Sequence, residues 1–257
     1  MANKICIVGT VHMDINGEKR LDYILDKYSP DIVAIELSED RTRGFPATQK
    51  EKESRLEEDI KKANIGQGPL NPTLIGIAKE LYKASGFEYY SPKKYVDAHP
   101  GTRLEYVDLS VFGEGDETGQ KAMGELLNNA VKNIPPQVRA GVDQMMSRMG
   151  KDAFIATLQQ RVDMAYKMQP LLGLMTPLMR SPRVLDQLNR TYPKESVDVI
   201  KKIVSPDRDE YMAKKIRELS PQGKVLVVCG LLHMKGIKKR LSDLHPRALS
   251  LLNYKSI

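Results

Sequence analysis

The chain carries one short device twice. Ile5 to His12 reads Ile-Cys-Ile-Val-Gly-Thr-Val-His, an apolar, β-branched run that ends in a glycine and delivers a histidine three residues later. Val225 to Met234 reads Val-Leu-Val-Val-Cys-Gly-Leu-Leu-His-Met and repeats it near the other end. Two strand-like runs, each closed by Gly-x-x-His, point to His12 and His233 as the residues where chemistry is to be sought. A glycine ahead of the histidine permits a close backbone turn, although Gly9 and Gly230 would also serve plain strand-to-loop geometry.

Between them the first segment reads as a βαβ unit. Asp14 or Asn16 is placed to cap a helix from about Glu18 to Tyr28, whose Leu21, Ile24, Leu25 and Tyr28 keep helical spacing, and Ser29-Pro30 stops it. Asp31 to Leu37 is apolar on consecutive positions, as in a strand covered on both faces of a parallel sheet. A right-handed crossover then sets Glu36 on the same sheet edge as His12. Arg43 to Pro72 is charged and poor in apolar residues, an excursion with a solvated helix over Gln49 to Lys62 and the character of a lid. Thr73 to Ala84 regains amphipathic spacing, and Arg103 to Leu109 reads as a strand with Asp108 near its carboxyl end.

Gly113 to Gly119 resembles a phosphate cradle only superficially, because three acids would face the phosphates and the glycine spacing is wrong. Gln120 to Val204 reads as helical throughout, in segments broken by prolines and Gly150. Eight of the twelve methionines fall between Met123 and Met179; they fill a helical core or offer an adaptable apolar surface to a peptide or another subunit. Ser205-Pro206-Asp207 starts a helix well, with a capping hydroxyl and a proline in the first turn. Arg208 opposes the dipole of that helix, so it needs Asp207, Asp209 and Glu210 as partners or a role in a site. The last strand, Lys224 to Cys229, leads through His233 to a closing helix from Gly236 to Leu244. Lys235, Lys238, Lys239 and Arg240 on that helix read as a solvated face before they read as an anion site. Leu249 to Ile257 is an apolar tail that adds an edge strand or a homodimer contact.

The pattern predicts an α/β protein: a small, mostly parallel sheet flanked by helices with a large helical insertion. We expect one domain over residues 1–257, made of an N-terminal α/β half (1–112), the insertion (113–204) and a C-terminal part (205–257) that completes the sheet. No apolar run reaches the ~20 residues of a membrane helix, and no signal peptide is expected ahead of the first strand. A cytoplasmic protein with no integral membrane segment is expected. Its two cysteines, Cys6 and Cys229, read as buried thiols rather than a disulfide. A net charge of +7 favours anions, but 40 basic residues dispersed among 33 acidic ones, with 6% aromatics, do not describe a nucleic-acid binder.

Four strands thus end in His12, Glu36, Asp108 and His233, at the edge where open parallel sheets place their ligands. Two histidines and a glutamate are a known ligand set for catalytic zinc, and such a metal brings the pKa of bound water to about 7. A metal-free site is equally consistent with these residues, with one histidine as general base and a carboxylate to orient it.

The sequence resembles the TraB/PrgY family, which groups with the Tiki proteins, the erythromycin esterases and the ChaN-like haem-binding proteins. The resemblance runs through Gly9-Thr-Val-His12, Ile35-Glu36-Leu37-Ser-Glu-Asp-Arg41, Asp207-Arg208-Asp209-Glu210-Tyr211-Met212-Ala213 and Cys229-Gly230-Leu-Leu-His233-Met-Lys-Gly236-Ile237. It implies a hydrolase-like site with His12, Glu36 and His233 at its core and Arg41 and Arg208 as supporting cations. Tiki relatives are metal-dependent peptidases and the esterases hydrolyse a lactone. Members also associate with limiting peptide pheromones, and many continue into C-terminal membrane spans; this chain stops after its last helix, so no membrane role is expected. The family often has Asp-Arg-Asp after the third strand, of which Asp108-Leu109-Ser110 keeps only the first acid, so Asp108 is expected to matter less. The expectation is a metal-dependent hydrolase (Zn, Mn or Co) of a peptide or other amide or ester bond. His12, Glu36 and His233 would be metal ligands, Glu36 ligand or base, and Arg41 and Arg208 would steady the carboxylate or a developing oxyanion. The alternative is a non-catalytic protein that sequesters a peptide or a haem-like ligand.

Overall fold

Consecutive apolar residues over Ile5–Thr10, Ile32–Ile35 and Val225–Gly230 make strands with both faces covered. In the computed structural model these are β1, β2 and β4, joined by β3 (Arg103–Tyr106) and β5 (Arg247–Ser250). The structure describes residues 4–42, 45–46, 51–52, 54–58, 72–109, 144, 148–169, 181–191, 197, 201 and 205–257. All four strand pairings are parallel and the order is β3-β2-β4-β1-β5. The two Gly-x-x-His strands are therefore neighbours, with Gly9 opposite Cys229 and Thr10 opposite Gly230. On the far side of β4, β2 pairs so that Ile35 lies opposite Val228. The α/β class and the parallel sheet agree with the sequence reading.

Helices α1 (Gly17–Tyr28), α2 (Glu39–Thr42), α3 (Pro72–Ala84), α4 (Phe87–Ala98), α5 (Lys151–Lys167), α6 (Pro182–Thr191), α7 (Pro206–Leu219) and α8 (Leu231–Arg240) accompany the sheet. Leu21, Ile24 and Leu25 of α1, which keep helical spacing in the sequence, are buried with the strands, and so are Met212 and Ile216 on α7 and Ile237 on α8. Burying each such side chain contributes roughly 1.5–3 kcal/mol, which explains why these stripes fix the packing. Helix α1 packs on α4, α7 on α8, and α8 on β1. Gly9 makes the last contact available. A Cβ there would lie 2.8 Å from Leu231 Cδ1 and 2.9 Å from Met234 Sδ. The first glycine thus serves close helix packing rather than a turn.

Several expectations are refined. The closing helix begins at Leu231, directly after β4, and not at Gly236, so His233 stands in its first turn. Leu241 N–H still bonds Ile237 O at 3.1 Å, and a short 3₁₀ turn (Ser242–Leu244) follows. The C-terminal tail is an edge strand, β5, parallel to β1, continued by a 3₁₀ segment (Leu251–Ser256). Helix α4 has no counterpart in the sequence reading; Pro92 lies inside it and its apolar pattern is blurred. The Gly113 to Gly119 loop and most of the Arg43 to Pro72 excursion lie outside the described residues, as does most of the methionine-rich stretch. Of the excursion, Phe45 and Pro46 are described, and 51–52 and 54–58 are helical. Met149, Met164 and Met168 are exposed. Cys6 and Cys229 are free and buried, and burial pushes the Cys6 thiol up to about 12.

The loop after β1 is pinned to α5. Asp14, fully buried, does not cap α1; its carboxylate accepts from Asn16 N–H (2.9 Å), Arg20 Nη1 (2.9 Å), Gln159 Nε2 (3.0 Å) and the Tyr166 hydroxyl (3.0 Å). The same Tyr166 oxygen accepts from Val11 N–H at 3.0 Å. A buried carboxylate needs this many donors, and the consequence is a fixed backbone next to His12.

Candidate active site

Because β1, β4 and β2 lie side by side and point the same way, their carboxyl ends bring His12, Gly230 and Glu36 together. From the position that a Cβ on Gly230 would take, Glu36 Oε2 is 3.4 Å away, His233 Cδ2 3.8 Å and His12 Nε2 3.9 Å. Glu36 is held at both oxygens: Oε2 accepts from Gly230 N–H at 2.6 Å, and Oε1 accepts from Arg208 Nη2 at 2.9 Å.

Arg208 is the centre of the buried layer. Its guanidinium is forked onto Asp108, Nε to Oδ1 at 3.0 Å and Nη2 to Oδ2 at 2.5 Å, and Asp108 carries no exposed side-chain surface. Desolvation works against the charge of Arg208, but the Asp108 bonds and Glu36 outweigh it and hold the pKa above the ordinary value. The planar fork of arginine suits such a bidentate grip, which a lysine lacks. The misplaced cation of the sequence is thereby explained. It stands against the dipole of α7 because Asp108 and Glu36, both distant in the chain, compensate it. Asp108, discounted in the sequence, is an integral part of the site.

Each histidine has its own carboxylate. His233 Nδ1–H donates to Asp209 Oδ1 at 2.6 Å, and its Nε2 faces Arg208 Nη1 and Glu36 Oε1, both at 3.3 Å. This pair is sealed, the His233 side chain being 9% exposed. His12 Nδ1–H donates to Glu88 Oε1 at 2.7 Å, and its side chain is 74% exposed. That hydrogen bond raises the His12 pKa above its ordinary value; the charges of Glu88 and Glu36 add to the effect and Arg41 opposes it. Asp209 reaches His233 only because α8 has a glycine where the helices meet: a Cβ on Gly236 would lie 2.1 Å from Asp209 Oδ2.

A cleft of about 220 Å³ opens over this layer. His12, Glu36, Arg41 and Glu88 line it with Leu37, Phe45 and Tyr89, whereas Arg208, Asp209 and His233 do not reach it. The five residues expected from sequence divide accordingly. His12 and Glu36 meet at the cleft, His233 and Arg208 brace Glu36 from beneath, and Arg41 lines the wall without bonding to any of them. Glu88, on the first turn of α4, and Asp209 as partner of His233 were not singled out. Asp209 stood in a quoted motif; Glu88 had no signal beyond an acid near a helix start.

The donor types suit a divalent metal, and a carboxylate on Nδ1 of each histidine is the support that metal-bound histidines usually have. The placement does not suit one. Arg208 holds the Glu36 oxygen that faces His233, and among the described residues no three His, Cys, Asp or Glu side chains are grouped so as to hold a metal ion. As arranged, the site is suited to moving protons: a solvent-facing imidazole oriented by one carboxylate, beside a second carboxylate fixed by a buried arginine.

The fold and site define a parallel α/β protein whose two Gly-x-x-His motifs and one buried arginine converge on a glutamate at the carboxyl edge of the sheet. The chain belongs to the TraB/PrgY/gumN family, whose model matches residues 116–249. That span contains Arg208, Asp209, His233 and Gly236, while His12 and Glu36 lie ahead of it. No curated protein and no solved structure matches the chain. No helix among the described residues is long and apolar enough to cross a membrane.

Proposed function

We propose that the chain hydrolyses a peptide or another amide or ester bond by general acid–base chemistry in this cleft. The observation that carries the reading is the His12–Glu88 pair: Nδ1 is engaged by a carboxylate at 2.7 Å, and the other nitrogen is left to the cleft beside Glu36. In that role His12 Nε2 takes a proton from water as the oxygen adds to the carbonyl carbon. It returns the proton to the leaving nitrogen or oxygen as that bond breaks. Glu88 holds the tautomer and steadies the imidazolium. Glu36, fixed by Arg208 and Gly230 N–H, sets the electrostatics of the floor, and Arg41 supplies the cation of the wall.

A divalent zinc, manganese or cobalt ion on His12, Glu36 and His233 is the competing reading, favoured by the carboxylate behind each histidine; it requires Arg208 to release Glu36. The test is turnover of a peptide and ester library by wild type, His12→Ala and Glu88→Gln after chelation and dialysis, with metal content measured in parallel. General acid–base removal should contribute about 10²–10⁴-fold, so His12→Ala should lose at least a hundredfold and Glu88→Gln less. Turnover that survives His12→Ala refutes the reading. Turnover that needs an added metal, with binding lost in His12→Ala and His233→Ala, replaces it with the metal-dependent form. Binding without turnover, indifferent to both substitutions, favours the sequestering protein.

A further inference from the structure

We propose that the cleft binds an apolar group bearing a free carboxylate, with Arg41 as the partner of the carboxylate and Leu37, Phe45 and Tyr89 as the wall for the apolar part. On the hydrolytic reading, on which the catalytic half of this inference rests, that ligand is the C-terminal residue of a peptide.

The charges lead to this ligand. Arg41 lines the cleft, and its guanidinium makes no hydrogen bond or ion pair with the described residues. The carboxylates that share the cleft are already engaged, Glu36 by Arg208 and Gly230 N–H, Glu88 by His12. Arg208 in turn is committed to Asp108 and Glu36. Among the described residues that line the cleft, Arg41 is the cation left for an incoming group, and its charge is felt at His12.

The walls narrow the class. Phe45 meets Tyr89 edge to face at 5.2 Å, and Tyr89 meets Tyr90 at 5.3 Å. Phe45 N–H bonds Thr42 O at 3.0 Å and the Tyr90 hydroxyl bonds Pro46 O at 2.9 Å, so the backbone at Phe45 is tied close to the end of the helix that carries Arg41. A volume of about 220 Å³ is below the ~300–1,000 Å³ of pockets that enclose drug-sized ligands. It accommodates one residue, not an extended chain.

The chemistry follows from Arg41 and His12 lining one cleft. With the terminal carboxylate on Arg41, the last peptide bond lies within about one residue, ~3.8 Å of Cα travel, and the hydrolytic reading requires that it reach His12. Water adds its oxygen to that carbonyl carbon, the C–N bond breaks, and the proton taken by His12 Nε2 passes to the leaving amine. The products are the shortened peptide and a free apolar amino acid.

The experiment uses the whole chain and separates binding from turnover. In a His12→Ala background, N-acetyl-phenylalanine, N-acetyl-phenylalaninamide and 3-phenylpropanoate are titrated by calorimetry, with and without Arg41→Gln and Arg41→Lys. The acid should bind at least tenfold more tightly than the amide, Arg41→Gln should abolish the preference, and Arg41→Lys should restore part of it. Circular dichroism and Tm establish that each variant folds. Equal affinity for acid and amide overturns the inference, as does an Arg41→Gln effect that weakens both alike. Phenylpropanoate binding as tightly as the acetylated residue keeps the carboxylate site but overturns the peptide as its source. In the His12-intact protein, peptides ending in Phe with a free carboxylate should be cleaved at least tenfold better in kcat/KM than their amides. Arg41-dependent binding with no cleavage of any peptide leaves the site standing and removes the hydrolytic reading.

Discussion

Gly236→Ala puts two physical effects in opposition. Glycine inside a helix costs about 1 kcal/mol relative to alanine, and Gly236 lies within α8, Leu231–Arg240. On propensity alone the substitution stabilises the protein by that amount. The neighbouring helix reverses the sign. The new Cβ would lie 2.1 Å from Asp209 Oδ2, 2.7 Å from Cγ and 3.3 Å from Cβ, so the obstruction is a short, buried side chain that cannot simply swing into solvent. Overpacking of this kind costs roughly 1–3 kcal/mol. Displacing Asp209 also breaks its 2.6 Å bond to His233, and a hydrogen bond to a charged group contributes about 1.5–3 kcal/mol. After the helix gain is subtracted, Gly236→Ala should destabilise by about 1.5–5 kcal/mol. At about 2–4 °C per kcal/mol for a chain of this size, Tm should fall by roughly 3–20 °C. Denaturant unfolding of wild type, Gly236→Ala, Asp209→Ala and the double variant gives the coupling. Once Asp209 is truncated the added methyl should cost little. A Gly236→Ala protein as stable as wild type, or more so, would refute the claim that Asp209 is held against His233 by close approach of the two helices.

Arg208→Met should cost about 3–5 kcal/mol in denaturant unfolding, because it leaves Asp108 and Glu36 facing each other without their shared cation; Arg208→Met/Asp108→Leu should recover part of the loss. The His12 pKa is raised in the folded state, so the His12–Glu88 pair stabilises the fold fully below the ordinary histidine value and progressively less as pH rises through the folded one. Imidazole NMR should show the His12 titration moving down in Glu88→Ala, and an unmoved titration would deny the pairing. Tyr166→Phe removes the oxygen that accepts from Val11 N–H and a donor to Asp14, and should cost about 1–3 kcal/mol. Hydrogen exchange at the Val11 amide should accelerate, and an unchanged rate would show that Tyr166 does not fix the loop of His12.

The sequence by itself determined what short-range chemistry determines. The runs at Ile5, Ile32 and Val225 became strands because consecutive β-branched residues need cover on both faces, and Ser205-Pro206 began α7 because Ser205 Oγ accepts from Asp207 N–H. Parallel strands with right-handed crossovers end at one edge, so the placing of His12, Glu36 and His233 on the same edge of the sheet followed from the strands alone. The family motifs around those residues were equally local. What only the tertiary structure decided was which group meets which. No local rule makes the two Gly-x-x-His strands neighbours, sets Asp108 beneath Arg208, 100 residues away in the chain, or brings Glu88 of a helix obscured by Pro92 to His12. The same holds for Asp209, whose contact with His233 depends on a helix crossing that Gly236 permits. Propensity acts over a few residues, whereas the pairing of buried charges is settled by whichever opposite charges the packed chain leaves within reach. Residue types were therefore readable in the sequence, and their partnerships were not.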